Sequence, residues 1–109
     1  MAMSQERAQR LFDDGFAGHL AGAERGDAQS YFELGMAYST GSDGCVVDMI
    51  EAHKWFNLAA LAGLREGAAL RAEIASEMER DEIAEAQRLA RAWLSTLSGS
   101  STAASRAAA

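Results

Sequence analysis

Two residue types that constrain protein folds are rare or absent in this 109-residue chain. It contains no proline, and it contains one cysteine, Cys45. Proline breaks the interior of helices, so its absence leaves helix possible along the whole chain. A single cysteine excludes a disulfide within the chain and a zinc site built from several cysteines. These absences favour a helical fold that is stabilised by packing alone.

The chain is also poor in positive charge and in long apolar runs. It has 10 Lys and Arg against 16 Asp and Glu, for a net charge of −6. Nucleic acids and anionic membranes attract clustered Lys and Arg, so neither is expected as a partner. No apolar run approaches the roughly 20 residues that span a bilayer. The N-terminal residues mix both charges and lack the apolar core of a signal peptide, so we expect a cytoplasmic location.

Hydrophobic residues make up 49% of the chain, and their helical spacing, with the glycine breaks, predicts five helices. Asp27 and Asp48 are expected to cap the second and third helices, and Gly63 to end the third. Glycines in the first helix imply close approach to a neighbour. The predicted helices are Ser4–Ala23, the segment from Asp27 to Ser39, Met49–Ala62, Arg65–Met78 and, after a break at 79–81, a segment ending at Leu97.

Two further local features follow from composition. The loop at 40–45 is rich in glycine and serine, and we expect Val46 and Val47 to tuck an apolar side chain beneath it. Residues 98–109 contain no large apolar side chain, so they bury too little surface to offset the entropy of ordering. We therefore predict one helical domain over residues 1–97 and a disordered tail over 98–109.

The most specific pattern lies in residues 26–63. Small residues there would let two helices approach closely, aromatics would fill the space between them, and glycines would turn the chain. The pattern is Leu34-Gly35-x-x-Tyr38-x-x-Gly41, then Gly44, Val46, Val47 and Asp48, then Ala52-x-x-Trp55-x-x-x-Ala59-Ala60-x-x-Gly63. It resembles the SEL-one-like repeat, an α/α unit related to the tetratricopeptide repeat. One departure is the loop, where Gly41 and Gly44 are three residues apart instead of two.

Internal similarity extends this pattern in both directions. The segment Gly22-Ala23-x-x-Gly26 matches Ala59-Ala60-x-x-Gly63, and Glu51-Ala52-His53-Lys54 aligns with Glu85-Ala86-Gln87-Arg88. We therefore expect one well-matched repeat between two degenerate ones. The resemblance implies an all-α fold, a short α/α solenoid of about five antiparallel helices, with Gly35 and Ala59 marking the close contact of the second and third helices.

The sequence offers little for catalysis or metal binding. His19 and His53 are the only histidines, and neither has a second ligand at the spacing of a metal site, so His53 is expected at the surface or partly packed. Cys45 lies between Asp43 and Asp48, which disfavour a thiolate. No nucleophile, phosphate-binding or dinucleotide-binding motif is present. We expect no enzyme activity, no cofactor and no metal.

Members of the family that this chain resembles commonly act as adaptors, which implies a module for protein–protein interaction. The partner would be another protein or a peptide. A self-assembling structural protein is the alternative, because so few repeats are near the minimum for stability. The residues expected to face a groove lie off the seam between paired helices: Gln29, Phe32, Met36 and Ser39, with Glu66 and Glu73 as an acidic rim. Phe32 is the expected anchor for a partner.

Overall fold

The computed structural model describes the backbone of residues 13–108 and the side chains of residues 15–97, and the described residues contain helices and no strand. The all-α prediction is therefore confirmed. A short π-helical turn, Asp13–Ala17, leads into the first α-helix. The α-helices are α1 (Gly18–Glu24), α2 (Ala28–Thr40), α3 (Met49–Leu61), α4 (Arg65–Ala75) and α5 (Arg80–Ala108). The part of the first predicted helix that precedes residue 13 lies outside the described residues.

The predicted helix caps are confirmed. Asp27 accepts a hydrogen bond from the backbone N–H of Ser30 at 3.0 Å, and Asp48 accepts one from Glu51 at 3.1 Å. Each bond satisfies a backbone donor that has no partner within its helix. Gly63 follows α3 with a φ of +103°, a conformation that costs little only for glycine. These local signals set where α2 and α3 begin and where α3 ends.

The turns that follow α1 and α3 have the same hydrogen-bond pattern. The N–H of Asp27 donates to the carbonyl of Gly22 at 3.1 Å, and the N–H of Leu64 donates to the carbonyl of Ala59 at 3.0 Å. Both are the long bond of a Schellman motif, in which the chain turns back over the helix end. The two turns occur 37 residues apart, at the positions that the sequence comparison aligned.

Small residues lie where neighbouring helices approach most closely. A Cβ added to Gly22 of α1 would overlap Ser30 of α2, which explains a glycine in that short helix. A Cβ on Gly35 of α2 would lie 2.6 Å from the Phe56 ring of α3. The predicted role of Gly35 is thereby supported. The close contact recorded for Ala59 is with α4, where a Cβ on Gly67 would lie 2.9 Å from the Ala59 Cβ.

An aromatic cluster joins α5 to α2 and α3. Tyr31 stacks on Trp55 with ring centroids 5.9 Å apart, and Trp93 meets Trp55 edge-on at 4.9 Å. The Trp93 indole N–H also donates to the Tyr31 hydroxyl at 3.2 Å. Lys54 Nζ lies 4.2 Å from the Trp55 ring centroid and 3.1 Å from Glu51. This packing agrees with the expectation that aromatic residues of the 26–63 pattern, such as Trp55, fill the space between helices.

Three local predictions differ from the structure. The helix α4 ends at Ala75 instead of Met78, and α5 continues past Leu97 to Ala108. Alanine has the best helix propensity, so an alanine-rich segment can extend a helix without burying large side chains. The side chains from residue 98 onward lie outside the described residues, so the disordered tail over 98–109 stays a prediction. The prediction that Val46 and Val47 tuck an apolar side chain beneath the loop was wrong, because these residues are 84% and 52% exposed.

Candidate functional site

A groove of about 310 Å³ opens between α2 and α4 above the middle of α3. Its walls come from the last turn of α2, from α4 and from the turn after α4. Its lining residues are Met36, Ser39, Thr40, Phe56, Leu70, Glu73, Ile74 and Glu77. The volume is at the low end of the roughly 300–1,000 Å³ found for ligand pockets, enough for one or two side chains of a partner.

The groove has an apolar floor. Phe56 of α3 is 1% exposed and lies between the two walls, where Gly35 allows α2 to pack directly against its ring. Leu70 and Ile74 contribute from α4 and are half-buried. A partner side chain that covers these atoms would remove apolar surface from water, which favours binding by about 25 cal/mol per Å².

The polar groups of the two walls differ in their hydrogen bonding. The hydroxyls of Ser39 and Thr40 donate to the backbone carbonyl of Met36, at 3.1 and 2.8 Å. The carboxylates of Glu73 and Glu77 form no ion pair and accept no side-chain hydrogen bond among the described residues. The hydroxyls on the α2 side of the groove are therefore hydrogen-bonded within the protein. The carboxylates of Glu73 and Glu77 on the α4 side, the carboxylate wall, keep their acceptor oxygens for a ligand.

The structure brings together half of the residues that the sequence predicted for the groove. Met36, Ser39 and Glu73 line it. Gln29 is exposed and donates to Glu33 at 2.7 Å, and Glu66 is exposed in the first turn of α4. These two residues do not line the groove.

Phe32 is not a lining residue either. It is partly buried against the core, with its ring 5.6 Å from that of Phe56. Its expected role as an anchor stays a prediction, as do the binding roles of the other five residues.

Sequence reasoning did not identify Leu70 and Ile74 as groove residues. Their spacing with Met78 places them on one face of the predicted fourth helix. That spacing defines a stripe but does not say which helix covers it.

His53 differs from the sequence expectation. It is 3% exposed, and its Nδ1 atom has no hydrogen-bond partner among the residues that the structure describes. Burial lowers the pKa of this imidazole, and the nearby positive charge of Arg71 lowers it further. Arg71 itself donates to Asn57 at 2.6 Å. The prediction of a surface or partly packed histidine was therefore wrong, because the α3 face that carries His53 is buried.

Neither a metal site nor a reactive thiol stands out in the described part of the chain. No group of three or more potential ligands among His, Cys, Asp and Glu converges there. Burial raises the pKa of the half-buried Cys45 thiol, and Asp43 raises it further. A higher pKa leaves less thiolate at neutral pH, which agrees with the expected low reactivity.

Comparison with known proteins identified no relative. The chain matches no protein-family model, no curated protein and no solved structure. Among the described residues, none of the helices combines the length and the hydropathy needed to cross a bilayer.

Proposed function

We propose that this protein is a non-catalytic module for protein–protein interaction, of the SEL-one-like type, and that the groove between α2 and α4 receives a peptide segment of a partner protein. Such a module would act as an adaptor or a scaffold. The single observation that carries the proposal is the groove, which combines an apolar floor with two carboxylates that have no partner in the described structure.

The contacts between helices support an arrangement of antiparallel pairs. Near the end of α2, the Tyr38 carbonyl accepts a hydrogen bond from the N–H of Asp48, which precedes α3, at 2.9 Å. Near the start of α2, Tyr31 stacks on Trp55 in the middle of α3. Later positions along α2 thus meet earlier positions along α3, as expected for antiparallel neighbours. Short stacks of such pairs form a concave surface along the first helix of each pair.

Two repeated features support a solenoid built from related units. The Schellman turns after α1 and α3 recur at a 37-residue offset. In the aligned segments of α3 and α5, Glu51 with Lys54 and Glu85 with Arg88 form equivalent i,i+3 ion pairs, at 3.1 and 2.6 Å. These matches favour duplication of one helix pair over an unrelated set of helices.

Peptide selection tests the proposal directly. A displayed library of random peptides would be selected on the wild-type protein, and the enriched peptides would be titrated by calorimetry. Leu70→Ala removes apolar surface from the groove, and its matched control is Leu61→Ala, which truncates a leucine that is 63% exposed outside the groove. We expect Leu70→Ala to weaken binding by about tenfold, as expected for losing part of a buried leucine contact.

The control Leu61→Ala should bind the selected peptides as the wild type does. Circular dichroism at the titration temperature must show both variants folded. A library that yields no binder, or binders that respond equally to the two variants, would contradict peptide recognition in the groove.

Self-assembly is the second candidate, and two exposed apolar residues favour it. Val46 and Leu61 are 84% and 63% exposed. Multi-angle light scattering over a range of protein concentrations distinguishes the candidates. A stable oligomer that dissociates in a Val46→Ser, Leu61→Ser double variant would support self-assembly, whereas a monomer at all concentrations would exclude it.

A further inference from the structure

We propose that the ligand of the groove is a basic peptide segment, in which one apolar side chain enters the groove and a neighbouring Lys or Arg reaches Glu73 and Glu77. This inference rests on the proposed function and specifies the chemistry of the partner. It follows from three properties of the groove: its charge, its position at two helix ends and its apolar floor.

The charge of the lining is uncompensated. Glu73 and Glu77 are its two charged residues, and no Lys, Arg or His is among the lining residues. The nearest cation in sequence, Arg71, donates instead to Asn57. These two carboxylates lie at the end of α4 and in the turn that follows it, and have no positive partner in the described structure, so they favour a ligand that supplies positive charge.

The position of the groove adds to this negative potential. Met36, Ser39 and Thr40 occupy the last turns of α2, and Glu73 with Ile74 occupies the last turn of α4. The C-terminal end of a helix carries partial negative charge from its unpaired carbonyls, and cations there are stabilised by about 0.3–1 kcal/mol. Neither α2 nor α4 has a basic residue in its last turn. Both helix ends at the groove therefore lack a basic side chain of their own in the last turn, which favours a ligand that brings one.

The apolar floor favours a peptide over a free cation. Phe56, Leu70 and Ile74 offer no ligand atoms to a metal ion, but they can enclose an aliphatic or aromatic side chain. A residue such as Leu next to Lys or Arg would satisfy both the floor and the carboxylate wall. Long basic side chains can also cover apolar surface with their methylene groups while their charged ends reach the carboxylates.

Charge argues against a second copy of this chain as the occupant. The protein has a net charge of −6, so two copies repel one another, and docking at an acidic groove would increase that repulsion. The same long-range field attracts a positively charged partner. The association should therefore be faster and tighter at low ionic strength.

Fluorescence anisotropy with four labelled synthetic peptides tests the inference. The peptides share a Gly-Ser frame and carry Lys-Leu-Lys, Gln-Leu-Gln, Glu-Leu-Glu or Lys-Ala-Lys at the centre. We expect Lys-Leu-Lys to bind most tightly and to weaken as salt is raised, because it alone combines an apolar anchor with basic flanks. The double variant Glu73→Gln, Glu77→Gln should weaken its binding by about fivefold and leave binding of Gln-Leu-Gln unchanged.

The matched control is the double variant Glu24→Gln, Glu79→Gln, which removes the same charge from exposed residues that do not line the groove. It should bind Lys-Leu-Lys within about twofold of the wild type. Equal weakening in both double variants would show an effect of net charge alone and would overturn the inference. Equal affinity for the Lys-Leu-Lys and Glu-Leu-Glu peptides would also overturn it while leaving peptide binding intact. If no selected or synthetic peptide binds, the proposed function itself fails.

Discussion

Gly67 lies against Ala59 so closely that a Cβ added to Gly67 would be 2.9 Å from the Cβ of Ala59. The same added atom would be 2.8 Å from the carbonyl oxygen of Phe56 and 3.0 Å from the backbone nitrogen of Ala60. Two of these three neighbours are backbone atoms, which cannot rotate away. The contact therefore limits how closely α4 can approach α3.

Gly67→Ala is predicted to destabilise the protein although alanine favours helix. The added methyl would force α4 away from α3, at a cost of about 1–3 kcal/mol from overpacking, which exceeds the gain of up to about 1 kcal/mol in helix propensity. Chemical denaturation monitored by circular dichroism measures the change. A stabilised Gly67→Ala variant would show that the two helices can separate at little cost.

Ala59→Gly provides a second-site test of the same contact. Removing the Ala59 methyl relieves one of the three close distances, so the double variant Ala59→Gly, Gly67→Ala should lose less stability than the sum of the two single variants. The rescue should be partial, because the backbone of Phe56 and Ala60 still blocks the new methyl. If the stability losses of the two single variants simply add in the double variant, the strain from the new methyl does not arise at Ala59.

Phe32→Ala is predicted to lower the free energy of unfolding by about 1–3 kcal/mol. Full burial of a phenylalanine would give a loss of about 3–5 kcal/mol, and Phe32 is only partly buried against Phe56 and the core. Phe32→Leu retains most of the apolar volume and should lose less. An unchanged melting temperature in Phe32→Ala would instead support the sequence-based view of Phe32 as an exposed anchor for a partner.

Stability is predicted to fall on mild acidification because of His53. Burial and Arg71 lower the pKa of His53 in the folded protein, whereas the unfolded chain should titrate near the ordinary value of about 6.5. The unfolded state therefore binds a proton at a higher pH than the folded state. The free energy of unfolding should decrease as pH falls below about 6.5, by at most about 1.4 kcal/mol per pH unit, until the pH reaches the folded pKa.

His53→Gln should remove this pH dependence between pH 7.5 and 5.5, above the range in which most carboxylates titrate. His19→Gln is the matched control, since it removes the only other histidine and should leave the dependence in place. Denaturation curves of the three proteins at several pH values make the comparison. A wild-type stability that does not change over this range would contradict the buried, neutral state of His53.

The local features of the fold were predictable because their causes are local. Asp27 and Asp48 cap helices through bonds to residues three positions away, and Gly63 turns the chain through its own backbone freedom. The candidate site was only partly predictable. Of the six residues expected at a groove, Met36, Ser39 and Glu73 line the one in the structure, and their binding roles stay predictions. Leu70 and Ile74 were not among the six, since the spacing of an apolar stripe is the same whether a helix or a ligand covers it.

The sequence by itself determined that the chain is helical, where the helices α2 and α3 begin, and which small residues recur at matching positions. Those properties depend on interactions within a few residues along the chain. Only the tertiary structure decided that His53 is buried, that Phe32 packs beside Phe56, and that the ends of α2 and α4 enclose one acidic groove. Such properties depend on which faces of separate helices meet, and that is set by the fit of side chains distant in sequence.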